Sequence, residues 1–243
     1  MSVYTIIQRW TARPIALVEA PTIGSAVEAA VARGVSLLYA DLRGICLAGR
    51  RMRSADLRGA DLALGDASGA ELGGADLRSA RLVGVTLRDT RLQAADLRQA
   101  DLREADLRHA DLRDARLTGA ELRGAIFRGA RLDGALLDWR WSAIPLELLR
   151  RHPGAGREGS RAVAHLAFAG DERPFLWLKS LLQDGLAGEW ALGVLADHVR
   201  PDDNAPSLLR RLTADAQPPR PEIPTLWTRP APSGAPRIAL RRA

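Results

Sequence analysis

The chain has a single cysteine, Cys46, a single lysine, Lys179, and only three phenylalanines in 243 residues. One thiol forms no internal disulfide and no four-thiolate metal site, so a reducing compartment fits and a disulfide framework does not. The four histidines, His109, His152, His165 and His198, are scattered and share no metal-ligand spacing with Cys46. No apolar run approaches the roughly 20 residues of a membrane-spanning helix, and MSVYTIIQRW lacks the basic leader and apolar core of a signal peptide. These absences predict a cytoplasmic protein with no membrane segment, cofactor or metal. Catalytic motifs are missing as well. GREGS at 156–160 lacks the preceding strand and the Lys-Ser/Thr ending of a phosphate loop, and Ser160 and His165 fall on a predicted helix where packing or exposure accounts for them. No enzyme is expected.

What the sequence has in excess is arginine, 34 residues against one lysine, for a net charge of +6. The skew is so uniform that it reads as codon bias, and arginine counts alone carry no functional weight. Its second abundance is a repeat. From Ala40 to Trp139 the chain divides without a gap into twenty pentapeptides of the form ADLRG. Leucine fills the central position i in all but Met52, Ala67 and Phe127. Alanine fills i−2 except at Ile45, Arg50, Gly65, Val85 and Thr90. A period of five cannot be helical, because steps of 100° scatter the leucines around the circumference. In extended backbone, i−2 and i face inward, i−1 and i+1 face outward, and i+2 turns the chain. Glycine occupies half of those turn positions, where positive φ is wanted.

Four such units predict a 20-residue coil stacked on the next at roughly 4.8 Å. Residues 40–139 therefore resemble the pentapeptide-repeat proteins, and the resemblance implies a mainly β solenoid, a right-handed quadrilateral β-helix of about five coils. With leucine and alanine rows filling its narrow interior, the rod leaves no volume for a substrate. Some members of the family act on DNA gyrase or related topoisomerases through an acidic, DNA-like surface. Here residues 40–139 carry 16 Asp plus Glu against 17 Arg, which argues against DNA mimicry and leaves topoisomerase modulation as the alternative reading.

Candidate partner-binding residues follow from the outer faces. Residues 20 apart stack in columns, so Asp56, Asp76 and Asp96 adjoin Arg58, Arg78 and Arg98, either as a solvated ion ladder or as a recognition face. Arg51, Glu71, Arg91, Asp111 and Arg131 form a self-compensating column. Arg50 breaks the inward rule. Either its coil is distorted and its side chain snorkels outward, or Arg50, Arg51 and Arg53 form a notch for an anionic partner. Gly65 and Ala67 underfill one side of the second coil.

The ends differ from the rod. Residues 1–39 read as a hairpin, YTIIQRW and IALVEA, followed by a short helix with a Ser25–Glu28 capping box, covering the first coil. This entry stretch also looks like that of pentapeptide proteins in bacterial and prophage genomes. Residues 140–215 carry five helical segments with Trp139, Trp141, Phe175, Trp177 and Trp190 as their predicted core. Residues 216–243 hold half of the prolines and the basic Arg229, Arg237, Arg241 and Arg242, an extended tail that either wraps on its own protein or offers weak, sequence-independent nucleic-acid binding. Trp227 is a candidate anchor for such wrapping. The sequence favours a non-enzymatic protein-interaction scaffold with an unidentified protein partner. It leaves open whether two chains pair.

Overall fold

The computed structural model describes residues 1–152, 154, 156–168, 176–183 and 185–216. Two strands, β1 (Ser2–Ile7) and β2 (Pro14–Ala20), pair antiparallel with Tyr4 opposite Val18 and Ile6 opposite Ala16. Alternation puts Ile6 and Val18 inside while Val3 and Leu17 stay exposed. The first strand stops at Ile7, short of the YTIIQRW arm read from the sequence, because the following backbone turns to the rod. The Ile7 carbonyl accepts from Asp41 N–H at 2.9 Å, and Arg9 N–H donates to the Tyr39 carbonyl at 2.9 Å.

Helix α1 (Ile23–Ala32) is capped at Thr22, three residues before the expected cap Ser25. Its capping box is Thr22 with Ser25, whose side chains each accept from the other's backbone N–H, at 3.2 and 3.0 Å. Glu28 is therefore free of capping and turns toward the rod. Gly24 lies against it so closely that an added Cβ would stand 2.2 Å from the Cys46 carbonyl oxygen, so only glycine fits there.

The repeat forms a β-helix solenoid. Parallel bridges join residues twenty apart, four to each coil, from Asp41–Asp61 to Arg116–Leu136. Each side is one bridged residue wide, so no longer strands form within the rod. Around that residue the hydrogen bonding is regular: Leu77 N–H donates to Asp96 O at 2.8 Å, Ser79 N–H to Arg98 O at 3.0 Å, and Asp96 N–H to Ala75 O at 2.9 Å. A turn bond closes each corner, as from Ala80 N–H to Leu77 O at 3.0 Å. The ladder begins at Leu37, which donates to Asp56 O, one unit earlier than the Ala40 start read from the alanine pattern. Val35 and Leu37 there supply the i−2 and i positions.

Turns without glycine keep the same backbone. Ser79, Gln99 and Glu104 have φ of 55°, 60° and 59°, a left-handed conformation that costs roughly 1–2 kcal/mol for a residue with a Cβ and is held by the ladders on either side. The side expected to be underfilled is closed by close approach. A Cβ at Gly65 would meet the Ile45 and Leu62 carbonyl oxygens at 2.9 and 3.0 Å, and the buried Thr90 hydroxyl donates to Ala67 O at 2.9 Å.

Beyond the rod stand α2 (Ala143–Arg151), α3 (Gly156–Phe168), α4 (Leu176–Leu182), α5 (Leu186–Ala196) and α6 (Ser207–Ala216). Trp139, Trp141 and Trp177 are buried and Trp190 half-buried, while Phe175 lies outside the described residues. The Trp177 indole N–H donates to the Trp139 carbonyl at 2.8 Å, tying α4 to the last turn of the rod.

Inward and outward positions should respond very differently to truncation. Leu102→Ala, at a position with no exposure, is expected to lower the unfolding free energy by about 2–5 kcal/mol. Leu64→Ala, at a turn residue 77% exposed, should change it by less than ~0.5 kcal/mol. Equal losses in denaturant titrations would contradict the inward–outward alternation.

Candidate interaction surfaces

On each side of a coil, the outward i−1 and i+1 side chains lie close enough for an Asp to grip the Arg two residues on. Arg58 donates from Nε to Asp56 Oδ1 at 2.7 Å and from its terminal nitrogen to Oδ2 at 2.9 Å. Arg78 on Asp76 and Arg98 on Asp96 repeat this fork at 2.6–2.8 Å. Successive coils couple weakly, with Arg58 Nε 3.8 Å from Asp76 and Arg78 Nε 3.8 Å from Asp96. The six residues singled out on this face thus stand together, each charge answered within its own pentapeptide. Asp101–Arg103, Asp106–Arg108 and Asp111–Arg113 form the same fork elsewhere on the rod. They were missed by reading a single column; the local signal is the tripeptide DLR itself.

The fork fixes protonation. The Arg58 guanidinium, assisted by the Ser36 hydroxyl, holds the Asp56 carboxyl at about 2 against some resistance from burial. Asp111 is likewise held at about 2 by Arg113, with Gln93 assisting. These carboxylates are ionised at neutral pH, so the DLR faces present paired ions and little net field.

Arg50 does not aim into the core, nor does it join Arg51 and Arg53 in a notch. Its guanidinium reaches Glu28 on α1 at 3.2 Å and is half-buried, while the Arg51 and Arg53 side chains are exposed. The other Glu28 oxygen accepts the Arg51 backbone N–H at 2.9 Å. In the inner coils that N–H position donates to a carbonyl of the preceding coil, as Glu71 N–H does to Arg50 O at 2.8 Å. Glu28 therefore substitutes for backbone that the first coil lacks. The Arg51 N–H is the main reason its carboxyl is lowered, with burial opposing and Arg50 adding to the effect.

The far end repeats the device. Gly129 N–H, which an inner coil would pair with a carbonyl, donates to Glu147 Oε1 at 2.8 Å. Gly119 N–H donates to Asp138 Oδ2 at 2.8 Å, and Trp139 N–H to Asn204 Oδ1 at 2.8 Å. On the acceptor side, Arg140 donates to Ala120 O at 2.8 Å and Arg151 to Ala130 O. Burial pushes the Glu147 carboxyl up, partly offset by Gly129 N–H. A cleft of about 510 Å³ opens beside this junction, lined by Leu132, Gly134, Leu148, His152, His198 and Arg200 among others.

The tail residues Arg229, Arg237, Arg241 and Arg242 lie outside the described residues. Among the described residues no group of His, Cys, Asp and Glu side chains is placed to hold a metal. The Ser160 hydroxyl donates to Gly156 O at 2.9 Å, an intrahelical bond. No described helix is long and apolar enough to cross a membrane.

Comparison with known proteins gives a consistent family. The profile for pentapeptide repeats matches 8 copies over residues 51–93 and 100–138. A pentapeptide repeat protein from Nostoc PCC 7120 is 36% identical over 40% of this chain and 79% of its own, with a TM-score of 0.24. Another, from the cyanobacterium Cyanothece 51142, is 36% identical over 32% of this chain, which spans 52% of that protein, with a TM-score of 0.32. QnrB1, a plasmid-mediated fluoroquinolone resistance protein, is 23% identical over 42% of this chain and 63% of its own, with a TM-score of 0.29. Among curated proteins no match is found.

Two pH effects of opposite sign follow. Asp56 and Asp111 have folded values below their ordinary 3.8, so their contribution is present above about 4 and lost as pH falls toward about 2. Glu147 has a folded value above 4.5, so its stabilising balance is greatest below 4.5 and declines as pH rises through the folded value. Glu147→Gln, which keeps an acceptor for Gly129 N–H, should leave neutral-pH stability unchanged or raised. Glu147→Ala should cost about 1–3 kcal/mol by orphaning that N–H. Thermal melts at pH 7 in which the Gln variant loses as much as the Ala variant would contradict this assignment.

Proposed function

The chain belongs to the pentapeptide-repeat family, and from that premise we propose that it is a non-enzymatic protein-interaction scaffold whose rod presents a regular outer face to a protein partner. The observation that carries the reading is the combination of a filled interior with forked Asp–Arg pairs outside. Leu97, Leu102 and Leu107 and the alanines between them have no exposure, so the rod offers its surface and nothing within. A surface of compensated ion pairs, repeated at the coil spacing, suits recognition by shape and hydrogen bonding more than long-range attraction. In this reading Asp56, Arg58, Asp76, Arg78, Asp96 and Arg98 form the partner face. Arg51 and Arg53 flank it, and Arg50 anchors α1.

The proposal includes right-handed winding, a cytoplasmic location, and four parts with bounds at 39, 139 and 215. It assigns 1–39 and 140–215 to closing the rod. Topoisomerase modulation and nucleic-acid binding through the tail are the competing readings, both driven by charge, and salt separates them from the scaffold reading.

Affinity capture from cell lysate with the full chain, at low and high salt, tests the scaffold. The expected result is one protein retained at both salts and reduced at least about tenfold by the combined substitutions Arg58→Gln, Arg78→Gln and Arg98→Gln. Gyrase or nucleic acid recovered only at low salt would replace the scaffold reading, as would loss of capture on substituting Arg229, Arg237, Arg241 and Arg242 by Gln while the rod variant binds normally.

A further inference from the structure

One side of the rod interrupts the run of forked ion pairs. Its bridged column is Asp41, Asp61, Arg81, Asp101 and Glu121. Asp41 and Asp101 are gripped by Arg43 and Arg103, two residues on, at 2.7–2.9 Å. In the two coils between them that position holds Ala63 and Val83. Among the described residues no other side of the rod places apolar side chains there in two successive coils. Asp61 therefore forms no fork; it is 4% exposed and accepts from Ala63 N–H at 3.1 Å and from Arg81 of the next coil at 3.3 Å. Outside it lies a shallow recess of about 680 Å³ with Ala63, Leu64 and Val83 as its apolar lining.

Leu64 stands at the turn of this side, where the coils before and after it have Gly44 and Gly84. Its φ is 58°, a conformation that leucine rarely takes, and its side chain is 77% exposed. It lies over the next coil, where a Cβ added at Gly84 would stand 3.0 Å from Leu64 Cδ2. Neither the turn nor the core calls for a leucine here. At the opposite corner of the same side Trp10 is 66% exposed, its ring 4.7 Å from that of Tyr39 with the Arg9 guanidinium 4.7 Å above it. Arg9 is itself fixed on Gly59 O at 3.0 Å. Two large apolar side chains that the protein leaves in solvent thus flank one side of the rod.

We propose that this side, from Trp10 across to Leu64 and Val83, docks a protein segment that carries an apolar side chain between carboxylates. Charge selects that occupant. In the Arg43–Asp41 pair the guanidinium side chain is 62% exposed and the carboxylate 19%; in the Arg81–Asp61 pair the values are 45% and 5%. Both acids are tucked beneath their arginines, so the rim that a partner meets is cationic while the recess within it is apolar. An aliphatic or aromatic anchor fills the recess, and its flanking Asp or Glu residues reach Arg43 and Arg81. The assignment rests on the scaffold reading and continues its face around one corner, because Gly59, against which Arg9 and Tyr39 lie, directly follows Arg58.

The probe is a display library of random peptides selected on the full-length protein. Selected peptides are expected to share an apolar residue flanked by Asp or Glu, and to bind Leu64→Gly at least about tenfold more weakly than the parent. That substitution restores the residue the turn prefers, so a loss of binding is not a loss of fold. Basic or uncharged consensus peptides, equal affinity for the two proteins, or a selection that yields no binder would each overturn the site. A dimer of the protein alone that Leu64→Gly dissociates, read by sedimentation, would give this side to a second copy and overturn it as well. Lysate capture separates this failure from that of the scaffold reading. Capture that survives Leu64→Gly but is lost with Arg58→Gln, Arg78→Gln and Arg98→Gln overturns the site alone, whereas a parent chain that captures no protein removes the scaffold reading and the site with it.

Discussion

The constraint on which this fold rests is the pairing of main-chain hydrogen-bonding groups across coils twenty residues apart. Each side of a coil is one bridged residue wide, so no pentapeptide is stable alone, and each holds its neighbours through about three ladder bonds such as those linking Leu77, Ser79 and Ala75 to the next coil. Inside the stack the ladder donors at i−1, i and i+2 each meet a carbonyl of a neighbouring coil. At the two ends the pattern must fail, and an unpaired buried N–H or C=O costs about 1–3 kcal/mol. The segments flanking the repeat become intelligible from that cost. Glu28 and Glu147, at opposite ends, each place a carboxylate oxygen where the carbonyl of an absent coil would stand, and Arg140 and Arg151 do the converse for carbonyl oxygens.

The same geometry explains the character of the surface. A residue pair two apart on one side of a coil cannot avoid proximity, and Asp followed by Leu and Arg turns that proximity into a bidentate fork. The rod is therefore densely charged but nearly neutral, unlike a surface that attracts by field. Function, on this account, resides in the shape of a rigid repeating face and in whatever its compensated ions recognise at contact distance. The ends are occupied by the protein's own segments.

Most of the fold was legible because the leucine and alanine rows determine period, side and interior with few departures. The departures were the parts that local pattern could not resolve. Arg50 breaks the inward rule, and its resolution lies with Glu28, 22 residues away on a helix whose placement no periodicity reveals. Glu28 itself fitted a capping box with Ser25 as well as it fits the rod, and only the Thr22 alternative released it. The ladder's start at Leu37 was hidden because Val35 stands where alanine was expected. The DLR fork was written in the sequence at seven units from Asp41 to Asp111, yet reading columns alone drew attention to three of them.

The most direct test of the central claim, that side chains at both ends stand in for missing coils, is residue-resolved amide exchange across the rod. The account predicts that Arg51 and Gly129, sealed by Glu28 and Glu147, are protected to within about tenfold of mid-rod amides such as Leu82 and Leu97. Protection that decays steadily toward both ends, with Arg51 and Gly129 exchanging like exposed turns, would contradict it.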